Sequence, residues 1–479
     1  MTGMTVYELA KSAGARICPA DYCQDTLTGE LVTDNRKIKE GDVFVAFIGE
    51  NVDAHRFVPA AFEAGAAGAI VSRLLESVPD GKFCAVVEDT LKAYGKIAGH
   101  VRDSFGIPVI AVTGSVGKTT MKDMIASVLS AGKNILKTEG NFNNHIGLPA
   151  TLLRLTAEHE IAVVEMGMNH KGEISYLTGI AKPDMVVITN IGDAHIGNLG
   201  SRENIFSAKC EIFEGLRPEG KAFLNGDDVL LRKLRDMPET TKDAKLVYVG
   251  ESADCDYRAA DIEEHADSIS FTIIRHDGAG TERKLNVTVP LPGRHMIYPA
   301  LTACALADET GLTDEEITAG ISGYVPTRMR MEMHACPGNI IVYNDTYNAN
   351  PQSVKAGLLT LAGAEGAGGT QLKRVAVLGD MLELGSEEER LHEEVGRFAA
   401  SLPLDALITV GPAARSIAKA CRQDGPGIKV YECGDKQSAM DTLRPLIMEN
   451  TAFLCKASRG MALEETAAFI ISEAGRFGN

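Results

Sequence analysis

At 479 residues, with 45% hydrophobic and 24% charged residues, the chain exceeds one ordinary domain and describes two to four packed globular units. A net charge of −17 excludes a general nucleic-acid binder and requires that any anionic substrate be held by local positive groups. The ten cysteines form no C-x-x-C pair, which excludes the common zinc patterns and fits reduced, buried thiols.

The start, "MTGMTVYELAKSAGA", has no signal-peptide pattern, and no run approaches the ~18 apolar residues of a membrane span, so a cytoplasmic protein is expected. In residues 1–106, strands are predicted at "DVFVAFIG" (42–49), "GAIVS" (68–72) and "CAVVED" (84–89), with helical stretches such as "AHRFVPAAFEAGA" (54–66) between them. Gly and Pro in "DSFGIP" (103–108) mark a change of pattern. Residues 107–325 alternate strands and helices: "PVIAVTG" (108–114), "IAVVEMG" (161–167), "DMVVITNIG" (184–192), "KAFLNGDD" (221–228) and "KLVYVG" (245–250). Such continuous apolar runs indicate a mainly parallel sheet covered on both faces, to which the alternating stretch 256–290 adds antiparallel strands. Residues 326–479 repeat the alternation at "NIIVYND" (339–345), "RVAVLGD" (374–380), "DALITVG" (405–411), "KVYECG" (429–434) and "AFLCKAS" (452–458). Ser386 with Glu389 predicts a capping box ahead of a helix whose buried stripe is Leu391, Val395 and Phe398. The class is α/β in three domains.

The sharpest motif is Thr113-Gly114-Ser115-Val116-Gly117-Lys118-Thr119. A phosphate loop usually reads G-x-x-x-x-G-K-[ST], but the position five before Gly117 is Val112, and the nearest upstream glycine is Gly114. The following helix is well specified, because Met121, Met124, Ile125, Val128 and Leu129 share one face. A strand therefore runs through a glycine turn into a helix and aims free amides at one point, an anion site. Lys118 then reaches the outer phosphates of ATP, and the Thr119 hydroxyl is placed for Mg²⁺. Glu165 ends a strand at the same edge, where it is either a Mg²⁺ ligand or a solvated turn carboxylate. Taken singly, His195 and Lys209 are ordinary polar residues.

Further strings extend the pattern. They include "TDNRKIKEGDVFVAFIGENVDAHRF" (33–57), "EGNFNNHIGLPATLL" (139–153), "EMGMNHKGEI" (165–174), "TNIGDAHIGNLGS" (189–201) and "AKCEI" (208–212). The last block adds "NDTYNANPQS" (344–353), "LGDMLELGSEEERLH" (378–392) and "KASRGMALEE" (456–465). With "TGSVGKT", these segments resemble the Mur ligase family over essentially the whole chain. The strings around Tyr347–Pro351, Gly379–Gly385 and Asn141–Asn144 resemble the branch that adds D-alanyl-D-alanine to UDP-N-acetylmuramoyl-tripeptide.

The resemblance implies an N-terminal UDP-substrate-binding α/β domain (1–106), a central P-loop ATPase domain with a parallel sheet (107–325) and a C-terminal Rossmann-like domain (326–479). It implies a ligase working through an acyl phosphate, with ATP and Mg²⁺. Lys118 and the loop would hold the phosphates, Thr119 and Glu165 a first Mg²⁺, and His195 a second. Lys209 would be carbamylated. Arg330, Asp345, Asn348 and Asn350 would approach the nucleotide. Asp34, Asn35, Arg36, Asp53 and His55 would cradle the UDP-sugar, and Asn141, Asn143 and Asn144 would line the substrate side. Asp380, Glu383, Lys456, Ser458 and Arg459 would face the dipeptide, with Lys456 or Arg459 pairing its carboxylate. A monomer is expected, with no nucleic-acid partner and no membrane insertion.

Two departures stand out. "GRHMIYP" (293–299) lacks both asparagines of the family's pattern there, so the adenine must be held by other groups, and Asn35 stands where Ser or Thr is usual. The alternatives are a sibling ligase, a folylpolyglutamate synthetase, or an ATP-dependent switch that ligates nothing. The general base stays open between His145 and His195, and the peptide's third residue between lysine and diaminopimelate.

Overall fold

The computed structural model describes residues 3–478 except 21, 23–25, 266 and 277–279. Cys23, the start of the N-terminal stretch and parts of 256–290 thus lie outside the described residues. Three sheets follow one another along the chain.

The first contains β1 (Arg16–Cys18), β2 (Leu31–Val32), β3 (Val43–Val45), β4 (Gly68–Val71) and β5 (Phe83–Val86), in the order β1-β5-β4-β3-β2. Only β1 runs antiparallel to its neighbour. Phe83, Tyr94 and Ile97 pack on one face, and Phe44, Val58 and Phe62 on the other.

The second sheet carries β6 (Val109–Thr113), β7 (Ile135–Lys137), β8 (Ile161–Glu165), β9 (Met185–Ile188), β10 (Lys221–Asn225) and β11 (Lys245–Gly250). It continues through β12 (Tyr257–Glu264), β13 (Ile269–His276) and β14 (Glu282–Val289). The order is β14-β13-β12-β11-β10-β9-β6-β8-β7, with only the β12-β13 and β13-β14 pairs antiparallel. In β6, Ile110 and Val112 face the helix Lys118–Leu129, while Val109 and Ala111 join the core on the opposite face. That two-sided burial is why the strand reads as an unbroken apolar run. The chain leaves β6 for β7 and β8 on one side, then crosses to β9 on the other. This topological switch opens a crevice at the strands' carboxyl ends.

The third sheet has β15 (Glu332–Cys336), β16 (Ile340–Asp345), β17 (Lys373–Gly379), β18 (Ala406–Val410), β19 (Lys429–Cys433) and β20 (Thr451–Lys456). Its order is β15-β16-β20-β17-β18-β19, parallel except for β15. The capping box expected at Ser386 and Glu389 does not form. The helix Glu388–Ala400 grows directly out of a 3-10 turn, and its N-cap, Glu387, is already in helical conformation rather than the extended one a cap needs.

Among the described residues, no helix is long and apolar enough to cross a membrane, and the described cysteines are free thiols. Burial pushes Cys84, Cys210, Cys304 and Cys455 up to about 12, which keeps them protonated.

One buried cation ties the first unit to the second. Arg102, in the helix Thr90–Ser104, is fully buried. It donates through Nε to the Ala181 carbonyl (2.7 Å) and through Nη2 to the Lys182 carbonyl (3.1 Å) and Asp184 Oδ2 (3.0 Å). Replacing Arg102 by methionine strands these acceptors. We expect a loss of about 3 kcal/mol, at the low end for a broken buried pair because Asp184 keeps some water contact. Urea unfolding measures it, and a loss below about 1 kcal/mol would contradict this role.

Candidate active site

A cleft of about 660 Å³ lies at the carboxyl ends of β6, β8 and β9, and residues at the ends of β16 and β20 form its opposite wall. The short phosphate loop forms its floor. Gly114 has φ +148°, and a Cβ there would lie 1.8 Å from Thr189 Oγ1. Gly117, at φ +79°, caps the helix Lys118–Leu129 in the left-handed conformation. Both turns therefore require glycine despite the missing length.

Asn190, which motif reasoning did not single out, straps the loop. Its carbonyl accepts from the Ser115 amide (3.0 Å) and its Oδ1 from the Val116 amide (3.0 Å). Thr113 Oγ1 donates to the Met166 carbonyl (2.9 Å), and Ser115 Oγ accepts from the Gly192 amide (2.9 Å). The Ser115 and Val116 amides are thus occupied. The anion donors left include the Gly117 amide and the first-turn amides of Lys118, Thr119 and Thr120, all in the cleft wall. Lys118 Nζ donates to the Gly114 carbonyl (2.8 Å). Burial lowers its pKa, the charge of Glu165 opposes that, and Arg330 adds to the lowering.

Glu165, at the end of β8, is buried and accepts from Thr119 Oγ1 (2.9 Å) and Asn143 Nδ2 (2.7 Å). His195 sits in a left-handed conformation, φ +64°, at the start of the short helix Ile196–Leu199. Its Nδ1 lies 3.0 Å from Glu383 Oε2 of the third unit, but the alignment is not that of a hydrogen bond, and this buried nitrogen has no hydrogen-bond partner among the described residues. Burial first, then the charges of Lys118, Lys209 and His170, push the ring down to about 4 and keep it neutral near pH 7. Lys209, in the helix Arg202–Cys210, is 1% exposed, and its Nζ has no hydrogen bond or ion pair among the described residues. Burial, then Lys118, holds its pKa well below the usual lysine range.

From the third unit, Asp345 accepts from Lys456 Nζ (2.6 Å) and the Met331 amide (3.2 Å), while Lys456 also donates to the Asn348 carbonyl (2.9 Å). Arg330 stacks over the Tyr347 ring at 4.2 Å, its buried Nε without a hydrogen bond among the described residues. Asn348 Oδ1 accepts from the Ala349 amide (2.9 Å), and Asn350 caps the helix Pro351–Ala362. All five line the cleft. Lys456 is tied to Asp345 and the Asn348 carbonyl at this wall, which takes two of its three N–H donors.

The central and third units also touch backbone to backbone. A Cβ on Gly197 would lie 2.7 Å from the Gly385 amide nitrogen and 3.0 Å from the Glu383 carbonyl oxygen.

Other expected residues separate. Asn141, Asn143 and Asn144 line the cleft, although Asn144 Oδ1 also accepts from the Gly147 amide (2.9 Å). Asp34, Asn35, Arg36 and Asp53 lie on the first unit, away from this cleft; Arg36 forks onto Asp34 (2.9 and 2.8 Å) and Arg73 onto Asp53 (2.8 Å). His55 is corrected as a substrate contact. Its Nε2 accepts from the Ser72 amide (2.8 Å), so Nδ1 carries the proton and donates to Asp53 (2.7 Å), leaving a buried ring with both nitrogens occupied. Asp380 accepts from the Ala414 amide (2.7 Å) and Ser458 Oγ from the Leu382 amide (2.9 Å), while Arg459 pairs with Glu464 (2.8 Å) outside the cleft. At the two positions where the family pattern has asparagines, Met296 is buried in the core and Pro299 lies in the helix Ile297–Thr310 at the cleft wall; its neighbour Tyr298 brings its hydroxyl to Asp227 Oδ2 (3.0 Å) in the same wall. The strand-end run "NGDD" was the available signal for Asp227.

Known proteins share this chain's sequence and fold. The Mur ligase middle-domain family model matches residues 112–307, and the Mur ligase, glutamate ligase domain model matches 329–459. The UDP-N-acetylmuramoyl-tripeptide–D-alanyl-D-alanine ligase of Bacillus subtilis (strain 168) is 37% identical over 98% of this chain and 99% of its own. MurF from Acinetobacter baumannii superimposes with a TM-score of 0.88 at 31% identity, covering 98% of this chain and 100% of that one. MurF ligase from Thermotoga maritima in complex with ADP does so at 0.81 and 26% identity, covering 94% and 99%. Identity at this level, end to end and on the same three-sheet architecture, makes the protein a member of the Mur ligase family.

Proposed function

We propose that this chain joins D-alanyl-D-alanine to UDP-N-acetylmuramoyl-tripeptide at the cost of ATP, in the cytoplasm and as a monomer. The observation that carries this is the cleft in which the phosphate loop and Glu165 of the central unit face Arg330 and Asp345 across the junction. The B. subtilis relative's name supports the substrates, and the three units 1–106, 107–325 and 326–479 are assigned to UDP-substrate, ATP and dipeptide.

A carboxylate oxygen is a poor leaving group, so the peptide carboxylate first attacks the γ-phosphorus and ADP departs. The dipeptide amine then attacks the acyl carbon, phosphate leaves, and the nitrogen loses its proton. Lys118 and the first-turn amides hold the phosphates while charge shifts between oxygens. Arg330 adds a fixed positive charge from the junction. The Glu165 carboxylate beside the Thr119 hydroxyl is a hard oxygen pair suited to Mg²⁺, and the unbonded His195 Nδ1 is a free donor nearby. Among the described residues, no three His, Cys, Asp or Glu form a metal cage, which fits an ion that takes most of its ligands from phosphate and water. When bound, Mg²⁺ neutralises phosphate charge. Lys209, buried without an anion and held toward its neutral amine, is suited to add CO₂ and lose a proton, becoming an anionic carbamate.

The test is turnover with ¹⁸O on the tripeptide's terminal carboxylate, offering lysine- and diaminopimelate-containing tripeptides in turn. Label in the released phosphate, and a pentapeptide mass that needs D-alanyl-D-alanine, are expected. Unlabelled phosphate, ligation of free amino acids, or ATP turnover indifferent to both substrates would overturn the proposal in favour of a sibling ligase or a switch.

The glycine contact yields a further expectation. Gly197→Ala forces the central helix off the 383–385 backbone, and a displacement of about 1 Å between reacting groups costs about 100-fold in turnover. Steady-state rates with small-angle scattering check it; unchanged rate and radius would show that the contact is dispensable.

A further inference from the structure

The dipeptide is a zwitterion whose ammonium nitrogen must be delivered beside the phosphorylated carboxylate, so the cleft needs an anion free to receive it. Of the cleft-wall carboxylates, Glu165 is taken by Thr119 and Asn143, and Asp345 by Lys456 and the Met331 amide. Asp227 accepts from the Tyr298 hydroxyl and the Glu251 amide, and Asp228 from the Ile191, Leu230 and Leu231 amides. Glu173 accepts from the Asn169 amide (2.7 Å). Glu383 alone among them has no hydrogen bond among the described residues, and its side chain is 57% exposed.

Its backbone is pinned on both sides. Glu383 has φ +65°, a strained conformation for a residue with a Cβ. The turn is pinned before it by the Met381 amide donating to His392 Nε2 (3.0 Å) and the Leu382 amide donating to Ser458 Oγ (2.9 Å). After it, Gly385 meets Gly197. The result is a carboxylate carried by the third unit to the side of His195 in the central unit, next to the phosphate loop.

We propose that Glu383 receives the ammonium group of the incoming dipeptide and holds that nitrogen beside the phosphorylated carboxylate until it loses a proton and attacks. The proposal rests on the ligase function above, and wild-type turnover with D-alanyl-D-alanine establishes that function independently. Glu383→Gln keeps the shape and removes the charge. Its KM for D-alanyl-D-alanine is expected to rise about 10- to 100-fold, the range of a charge-assisted hydrogen bond. KM for the UDP-tripeptide and the Mg²⁺ half-saturation should stay unchanged, the former reporting an intact fold. N-propionyl-D-alanine, which has no amino group, should compete with the same Ki in wild type and variant. Glu383→Asp should recover part of the loss. An unchanged dipeptide KM, or a propionyl Ki that rises in step with it, would overturn the assignment. So would a shifted Mg²⁺ half-saturation with the dipeptide KM unmoved, which would make Glu383 a metal-side residue instead.

Discussion

Lys118→Met is expected to lower turnover by about 100- to 1,000-fold, the cost of removing one preorganised charge stabiliser from a phosphoryl-transfer site. The side chain's internal hydrogen bond is to the Gly114 carbonyl, so its loss leaves the loop's other straps, through Asn190 and Gly192, in place. The methionine variant should therefore fold, bind UDP-substrate normally and fail in chemistry. Phosphate release with all three substrates measures this. A loss under about tenfold would mean that the helix-start amides and Arg330 suffice, and that the shortened loop works unlike a standard one.

Lys209→Ala is the second large effect. We expect a loss of at least about 100-fold, more than a supporting contact of a metal site usually carries, with partial recovery on adding formate or acetate, whose carboxylate replaces the missing anion. Stability gives a separate readout. An uncompensated buried amine opposes folding, so Lys209→Met should melt no lower than wild type while losing activity. A folded alanine variant without rescue would argue against the carbamate. A methionine variant that unfolds early would make Lys209 a packing residue.

Much of this molecule was legible because two-sided strands leave unmistakable apolar runs. β6, β8, β17 and β20 all appear within a residue or two of where their patterns place them. The strands that stayed invisible, β1, β2 and β7, have two or three residues, too few for a period to show, and β15 is an edge strand with mixed polarity. At the site, the glycine-loop motif nominated Lys118 and strand-end position nominated Glu165, while His195 and Lys209 gained roles only through the family resemblance. None of these signals was enough to tell an open side chain from an occupied one. His55 and Asp380 have the chemistry of ligand contacts, yet each is used by a backbone amide far along the chain, which only the folded register reveals. Asn190 was missed for the converse reason, since nothing in a lone asparagine after a strand announces that it ties down a loop 74 residues away.

The Gly197 contact carries a consequence for anyone improving this protein. Alanine is better than glycine by about 1 kcal/mol inside a helix, so a heat-based screen of variants has a local incentive to replace it. The same methyl group blocks the approach of the neighbouring unit, so hardiness and speed are opposed at one backbone atom.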